Sequence, residues 1–172
     1  MISPIYIDLR LLVSFPKLLE RVGRAYLSIL EGLSFERLAG LPYAALPIAT
    51  VISLMGEWPL IYPRKEAKTY GTKAEIEGVF EEGDRVVVID DLATTGESKF
   101  ELIEKLTSAG MTVKDIVVLI DRQSGAREAL SNSGYTLHAV TTLTGLLDYY
   151  EEYKKVAAEK ILSVREFLKT NR

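Results

Sequence analysis

The chain has 172 residues, 48% of them hydrophobic, enough to bury a sizeable core, and one domain over residues 1–172 is expected. Its net charge of −3 gives no general attraction to nucleic acid or an anionic membrane, so neither partner is expected and any anion site has to be built locally. Having no cysteine, it can form neither disulfides nor thiolate metal sites, and the single His138 cannot supply a histidine-rich zinc cluster. The start "MISPIYIDLR" lacks the charged and apolar regions of a signal peptide, and no apolar run approaches ~20 residues, so a cytoplasmic protein is expected.

In chain order, "PKLLERVGRAYLSILEG" from Pro16 reads as an amphipathic helix. From about residue 37 strand-like and helix-like segments alternate, which predicts an α/β fold with a largely parallel sheet. The strands are "RLAG" from Arg37, "PLIY" from Pro59, "RVVVID" from Arg85, "DIVVLID" from Asp115 and "TLHAV" from Thr136. "SKFELIEKLTSAG" places Phe100, Leu102, Ile103 and Leu106 on one helical face and stops at Gly110. "EEYKKVAAEKILSVREFLKTN" from Glu151 reads as one further amphipathic helix with a charged face.

The segment "VVVIDDLATTGES", Val86 to Ser98, is a strand running into a loop and a helix, the arrangement that places ligand groups at the C-terminal edge of a parallel sheet. Thr94, Thr95, Gly96, Glu97 and Ser98 can turn amides and hydroxyls toward one phosphate, aided by the helix N-terminus. Asp90 and Asp91 would repel that phosphate and instead need a hydroxyl-bearing or metal-bound neighbour. A ribose 5-phosphate satisfies both halves. Taken singly, these residues are good turn and helix-cap types, but their ordered combination is more specific than that. The loop has no Gly-Lys-Ser/Thr end and the chain has no well-placed G-x-G-x-x-G, which removes kinase and dinucleotide readings.

This segment resembles the phosphoribosyl pyrophosphate signature of type I phosphoribosyltransferases. "SPIYIDLR" from Ser3, "GLPYAALPIATV" from Gly40, "RKEAKTYGTKAEIEG" from Arg64 and "LIDRQSG" from Leu119 resemble successive motifs of the orotate phosphoribosyltransferases, in the form found as the first domain of animal UMP synthase. The likeness covers nearly the whole chain. It implies the type I phosphoribosyltransferase fold, a mostly parallel sheet flanked by helices with a flexible β-hairpin catalytic loop. It also implies transfer of phosphoribose from phosphoribosyl pyrophosphate to orotate, Mg²⁺ as cofactor, a place in UMP biosynthesis, an orotidine 5′-monophosphate decarboxylase as partner activity, and a homodimer with shared sites.

Carried over residue by residue, the resemblance assigns Asp90, Asp91, Leu92, Ala93, Thr94, Thr95, Gly96, Glu97 and Ser98 to phosphoribosyl pyrophosphate, joined by Tyr43, Arg64, Lys65, Lys68 and Tyr70. Thr94, Arg122 and Arg10 are the orotate contacts, with Asp8 beside Arg10 in the segment against the base. Asp90 and Asp91 help place Mg²⁺ through the ligand, with no direct metal site expected. Arg64, Lys65, Lys68 and Asp91 are the candidate catalytic residues. The three cations answer a chemical need, because loss of pyrophosphate develops negative charge that they and Mg²⁺ can neutralise. Arg122 offers the planar, always-charged donor that a carboxylate base calls for. Tyr70 stands where many bacterial members have histidine and is given no proton-transfer role; Ala44 stands where they often have lysine.

The family's helix and Lys-Ser-Gly segment before "SPIYIDLR" have no counterpart in this sequence, where Met1 and Ile2 precede the motif. Two other readings stay open: a phosphoribosyltransferase for another base, and a weakly active or non-catalytic regulatory domain that binds phosphoribosyl pyrophosphate. Arg122 and the basic loop weigh against the first, Lys65 and Lys68 against the second.

Overall fold

The structure, a computed structural model, describes residues 4–64 and 75–170. Its strands are β1 (Arg37–Gly40), β2 (Leu60–Pro63), β3 (Ile76–Glu77), β4 (Arg85–Ala93), β5 (Thr112–Asp121) and β6 (Thr136–Thr142). Its helices are α1 (Pro16–Leu30), α2 (Ala45–Gly56), α3 (Glu97–Ser108), α4 (Ala126–Asn132), α5 (Leu143–Glu152) and α6 (Ala158–Thr170). The strands form one six-stranded sheet in the order β3-β2-β1-β4-β5-β6, parallel except for the antiparallel pairing of β3 with β2.

β4 lies between β1 and β5, and its run of β-branched residues is buried on both faces, as a central parallel strand requires. Val87 and Ile89 pack with Tyr26, Leu30, Ile48 and Ile52 of α1 and α2; Val86 and Val88 pack with Ile103 and Leu106 of α3 and Leu130 of α4. α1 starts with proline at its first turn, where no amide is needed, and turns Val22, Tyr26 and Leu30 inward at helical spacing. Gly23 permits the close α1–α2 approach, since a Cβ there would lie 2.7 Å from Val51 Cγ1.

The chain leaves β1 through α2 to β2 on one side of the sheet, and leaves β4 through α3 to β5 on the other. The topology therefore reverses between β1 and β4, and at such a point the loops beyond the strand ends diverge and leave a crevice. The antiparallel β2–β3 pair forms the base of the expected hairpin; residues 65–74, which carry Lys65, Lys68 and Tyr70, lie outside the described residues.

The C-terminal segment departs from the expected single helix. α5 ends before Tyr153, Lys154 adopts φ +51°, and α6 begins only at Ala158. The break lets Leu143 and Leu147 of α5 share a core with Ile161, Val164 and Leu168 of α6, which one straight helix could not arrange. Ile5 and Ile7 pack on the same cluster, and the alternation of that extended segment leaves Tyr6, at 79% exposure, outside it.

Candidate active site

The crevice at the end of β1 and β4 is a cleft of about 430 Å³. Leu41–Ala44 line it from the β1–α2 loop, Asp90, Asp91, Leu92, Thr94 and Ser98 from the end of β4 and the start of α3, with Arg10, Glu101 and Lys105 also in the wall. A second hollow of about 270 Å³ shares Pro42 and Tyr43 with it and extends to Tyr62, Arg64 and Glu77 at the hairpin base.

Strand alternation separates the two aspartates. Asp90 follows Val86 and Val88 to the α3 side, where it is buried and held from three directions. Lys99 Nζ donates to its Oδ2 (2.7 Å), the Asp91 N–H donates to its Oδ1 (2.8 Å), and the Tyr26 hydroxyl donates to its main-chain carbonyl (2.7 Å). Burial, followed by the charges of Asp90 and Asp91, holds the Tyr26 phenol well above its ordinary value, so it stays a donor. Tyr26→Phe is expected to cost about 0.5–1.5 kcal/mol by removing a buried hydrogen bond to a strand carbonyl, read from urea unfolding; an unchanged midpoint would contradict the bond.

Asp91 is half-buried. Burial first, then the charge of Asp90 and a hydrogen bond with it, push its carboxyl up to about 7. Near neutrality the pair therefore holds a proton that solvated carboxylates would have released.

After Ala93 the chain makes the loop Thr94–Ser98. Gly96 is the residue before α3 and has φ +92°, a conformation that glycine adopts without penalty. No side chain caps this helix start, which leaves its first-turn amides to face an anion. Thr95, Glu97 and Ser98 are exposed around it. The loop is braced by the segment from the end of β5 to the start of α4, since Arg122 N–H donates to Ala93 O (2.9 Å) and Ala126 N–H donates to Thr94 O (3.1 Å).

The remaining expected residues are placed unevenly. Tyr43 is 69% exposed and lines both hollows. Arg10 faces the cleft with its guanidinium on Asp8, Nε to Oδ1 and Nη2 to Oδ2 both at 2.8 Å, and Nη2 also donates to Tyr6 Oη (2.7 Å). The bond with Asp8 holds that carboxyl below its usual range and raises the Arg10 guanidinium. Arg64 pairs with Glu77 beside the smaller hollow. Arg122 is half-buried at the end of β5 and is not part of the cleft wall.

Three residues that shape the site, besides Glu101 of its wall, were not read from the sequence. Lys99 is one, and its signal lay in the i, i+3, i+4, i+7 row Lys99, Leu102, Ile103, Leu106, whose first member is charged. Tyr26 is the second. Lys105 is the third: it lines the cleft, donates to Arg64 O (3.1 Å) and stands 3.5 Å from Glu101. Among the described residues no group of three or more His, Asp or Glu side chains gathers to hold a metal, and no helix is long and apolar enough to cross a membrane.

No family model matches the chain. It is 42% identical over 163 residues to the bifunctional enzyme PyrF/PyrE of a Nostoc species, covering 95% of this chain and 34% of that protein. It is 37% identical over 154 residues to the orotate phosphoribosyltransferase of Thermococcus gammatolerans, covering 88% of this chain and 82% of that protein. Its fold matches the solved structure of UMP synthase from Leishmania donovani with a TM-score of 0.92 and 50% identity, over 98% of this chain and 36% of that one. The sheet, its switch-point cleft and the loop after β4 together make this a type I phosphoribosyltransferase fold. The chain belongs to the orotate phosphoribosyltransferase family. It spans about a third of the length of the bifunctional enzyme and of the UMP synthase, at 34% and 36%.

Proposed function

We propose that the protein transfers the 5-phosphoribosyl group of phosphoribosyl pyrophosphate to orotate, giving orotidine 5′-monophosphate and pyrophosphate, as a cytoplasmic step of UMP biosynthesis. The observation that carries this reading is the switch-point cleft in which an acid pair and an uncapped helix start lie one loop apart. The 5-phosphate sits on the amides and hydroxyls of Thr94–Ser98, with Leu92 and Ala93 leading into the cradle. The ribose hydroxyls donate to Asp91 and to the lone pairs Asp90 retains beyond its bonds with Lys99 and the Asp91 N–H.

The base lies toward Thr94 and Arg10, and Arg122, at the neighbouring strand end, takes its carboxylate. Pyrophosphate lies toward Tyr43 and Arg64, and Lys65, Lys68 and Tyr70, outside the described residues, are assigned to it as well. N1 of orotate gives up its proton to solvent or to the departing pyrophosphate as it bonds to C1 of ribose and the C1–oxygen bond to pyrophosphate breaks, so catalysis consists of alignment and charge stabilisation without a protein nucleophile. No side chain is assigned as general base. Oxygen-only donors and a single carboxylate not already tied to a lysine fit a hard cation held mainly by its ligand's oxygens, with Asp91 and Asp90 as the protein's contribution. Mg²⁺ bound in this way supplies charge neutralisation to the pyrophosphate.

A homodimer with shared sites is part of this reading. It is supported by the exposed apolar side chains Tyr6, Leu11, Phe15 and Leu18, clustered in sequence around the cleft residue Arg10. The product carries a carboxylate on its base, which makes an orotidine 5′-monophosphate decarboxylase the partner activity.

The test is loss of orotate absorbance with phosphoribosyl pyrophosphate and Mg²⁺. Consumption of orotate matched by pyrophosphate release is the expected result. Binding of phosphoribosyl pyrophosphate without consumption would favour the regulatory reading, and turnover only with a purine or uracil would favour another base.

A further inference from the structure

Lys99 is 1% exposed, the most deeply buried charged side chain in the described residues, and the scheme above gives it no task. Lysine is seldom buried to this degree unless paired. Here Nζ donates to Asp90 Oδ2 (2.7 Å) and to the Leu92 carbonyl (2.9 Å), so one ammonium clamps the residues on either side of Asp91. It does not itself line the cleft.

Stability alone is a poor account of this pair. Removing two charges from water offsets much of their attraction, and a well-packed apolar pair of similar volume serves a core as well or better. What the pair supplies is direction and charge balance. With Oδ2 held by Lys99 and Oδ1 by the Asp91 N–H, the Asp90 carboxylate cannot turn. One of two adjacent negative charges is also compensated from beneath, so an anionic sugar phosphate meets a single uncompensated acid.

We propose that Lys99 is the positioning residue of the acid pair: by holding Asp90 and the Leu92 carbonyl it sets how both aspartates meet the ribose ring, and so determines affinity for phosphoribosyl pyrophosphate without touching it. This rests on the function proposed above.

The test is calorimetry with phosphoribosyl pyrophosphate and with ribose 5-phosphate, beside steady-state kinetics, on the wild type, Lys99→Met and Lys99→Arg. Lys99→Met is expected to weaken binding of both ligands about tenfold or more while the KM for orotate changes less than about twofold. Lys99→Arg keeps the charge but replaces a point donor with a planar fork, so a smaller loss in the same ligands is expected. Should Lys99→Met not fold, Lys99→Arg carries the comparison. A folded variant that binds phosphoribosyl pyrophosphate as tightly as the wild type, or that loses orotate and phosphoribosyl pyrophosphate equally, overturns the role. A wild-type protein that binds neither sugar phosphate instead fails the proposed function, which keeps the two failures distinct.

Discussion

Replacing Asp91 by asparagine is expected to weaken phosphoribosyl pyrophosphate binding about 10- to 100-fold, the loss that follows from removing charge-assisted hydrogen bonds of about 1.5–3 kcal/mol. The substitution keeps the shape of the side chain and removes its charge, so the protein should remain folded. Asp91 should also impose a pH dependence. Its carboxyl stands near 7 because it is buried beside Asp90, and the other groups that bear on it are Lys99, the phenol of Tyr26 and the guanidinium of Arg10. Ribose hydroxyls donate to the ionised carboxylate, so affinity should rise between pH 6 and pH 8, over which the ionised share of the group climbs from about a tenth to about nine-tenths. Comparison with Asp91→Asn at each pH removes the titration of the ligand's own phosphates, and identical profiles for the two proteins would contradict the assignment. The linked effect on folding has the opposite sense. The folded chain retains a proton that the unfolded chain loses near 3.8, so this group's contribution to stability falls as pH rises from about 4 through 7.

Lys68→Ala is the second large effect, expected to lower kcat about 100- to 1,000-fold while ribose 5-phosphate binding changes little. The asymmetry follows from when its charge is needed. In the ground state the pyrophosphate is already screened by solvent and Mg²⁺; as the bond to C1 breaks, further negative charge gathers on the leaving oxygen, and only a group placed there then is felt in the rate. Presteady-state turnover beside calorimetry separates the two, and equal losses in both would contradict a leaving-group role.

Much of the fold was legible because central parallel strands must be apolar on both faces. "RVVVID" and "DIVVLID" carry that pattern unmistakably, and β4 and β5 extend it by three residues each, Asp91–Ala93 at one end and Thr112–Lys114 at the other. The loop after β4 was legible for a different reason: acids, hydroxyls and glycine in that order have few uses at a strand end. The break between α5 and α6 was not, because Lys154 is an ordinary helical residue that only tertiary packing of Leu147 against Ile161 forces into a left-handed turn. Lys99 escaped because lysine on a helix reads as solvated. Its burial depends on Asp90, nine residues earlier and on another element. The partner that makes such a charge tolerable is visible only once strand and helix are packed.

The most direct measurement is a crystal structure of the protein with ribose 5-phosphate. The 5-phosphate is expected on the amides of Thr95–Ser98 and the ring hydroxyls within hydrogen-bond reach of Asp91, with Asp90 still bound to Lys99. A ligand lodged away from the end of β4, or a phosphate turned toward the aspartates, would contradict this placement.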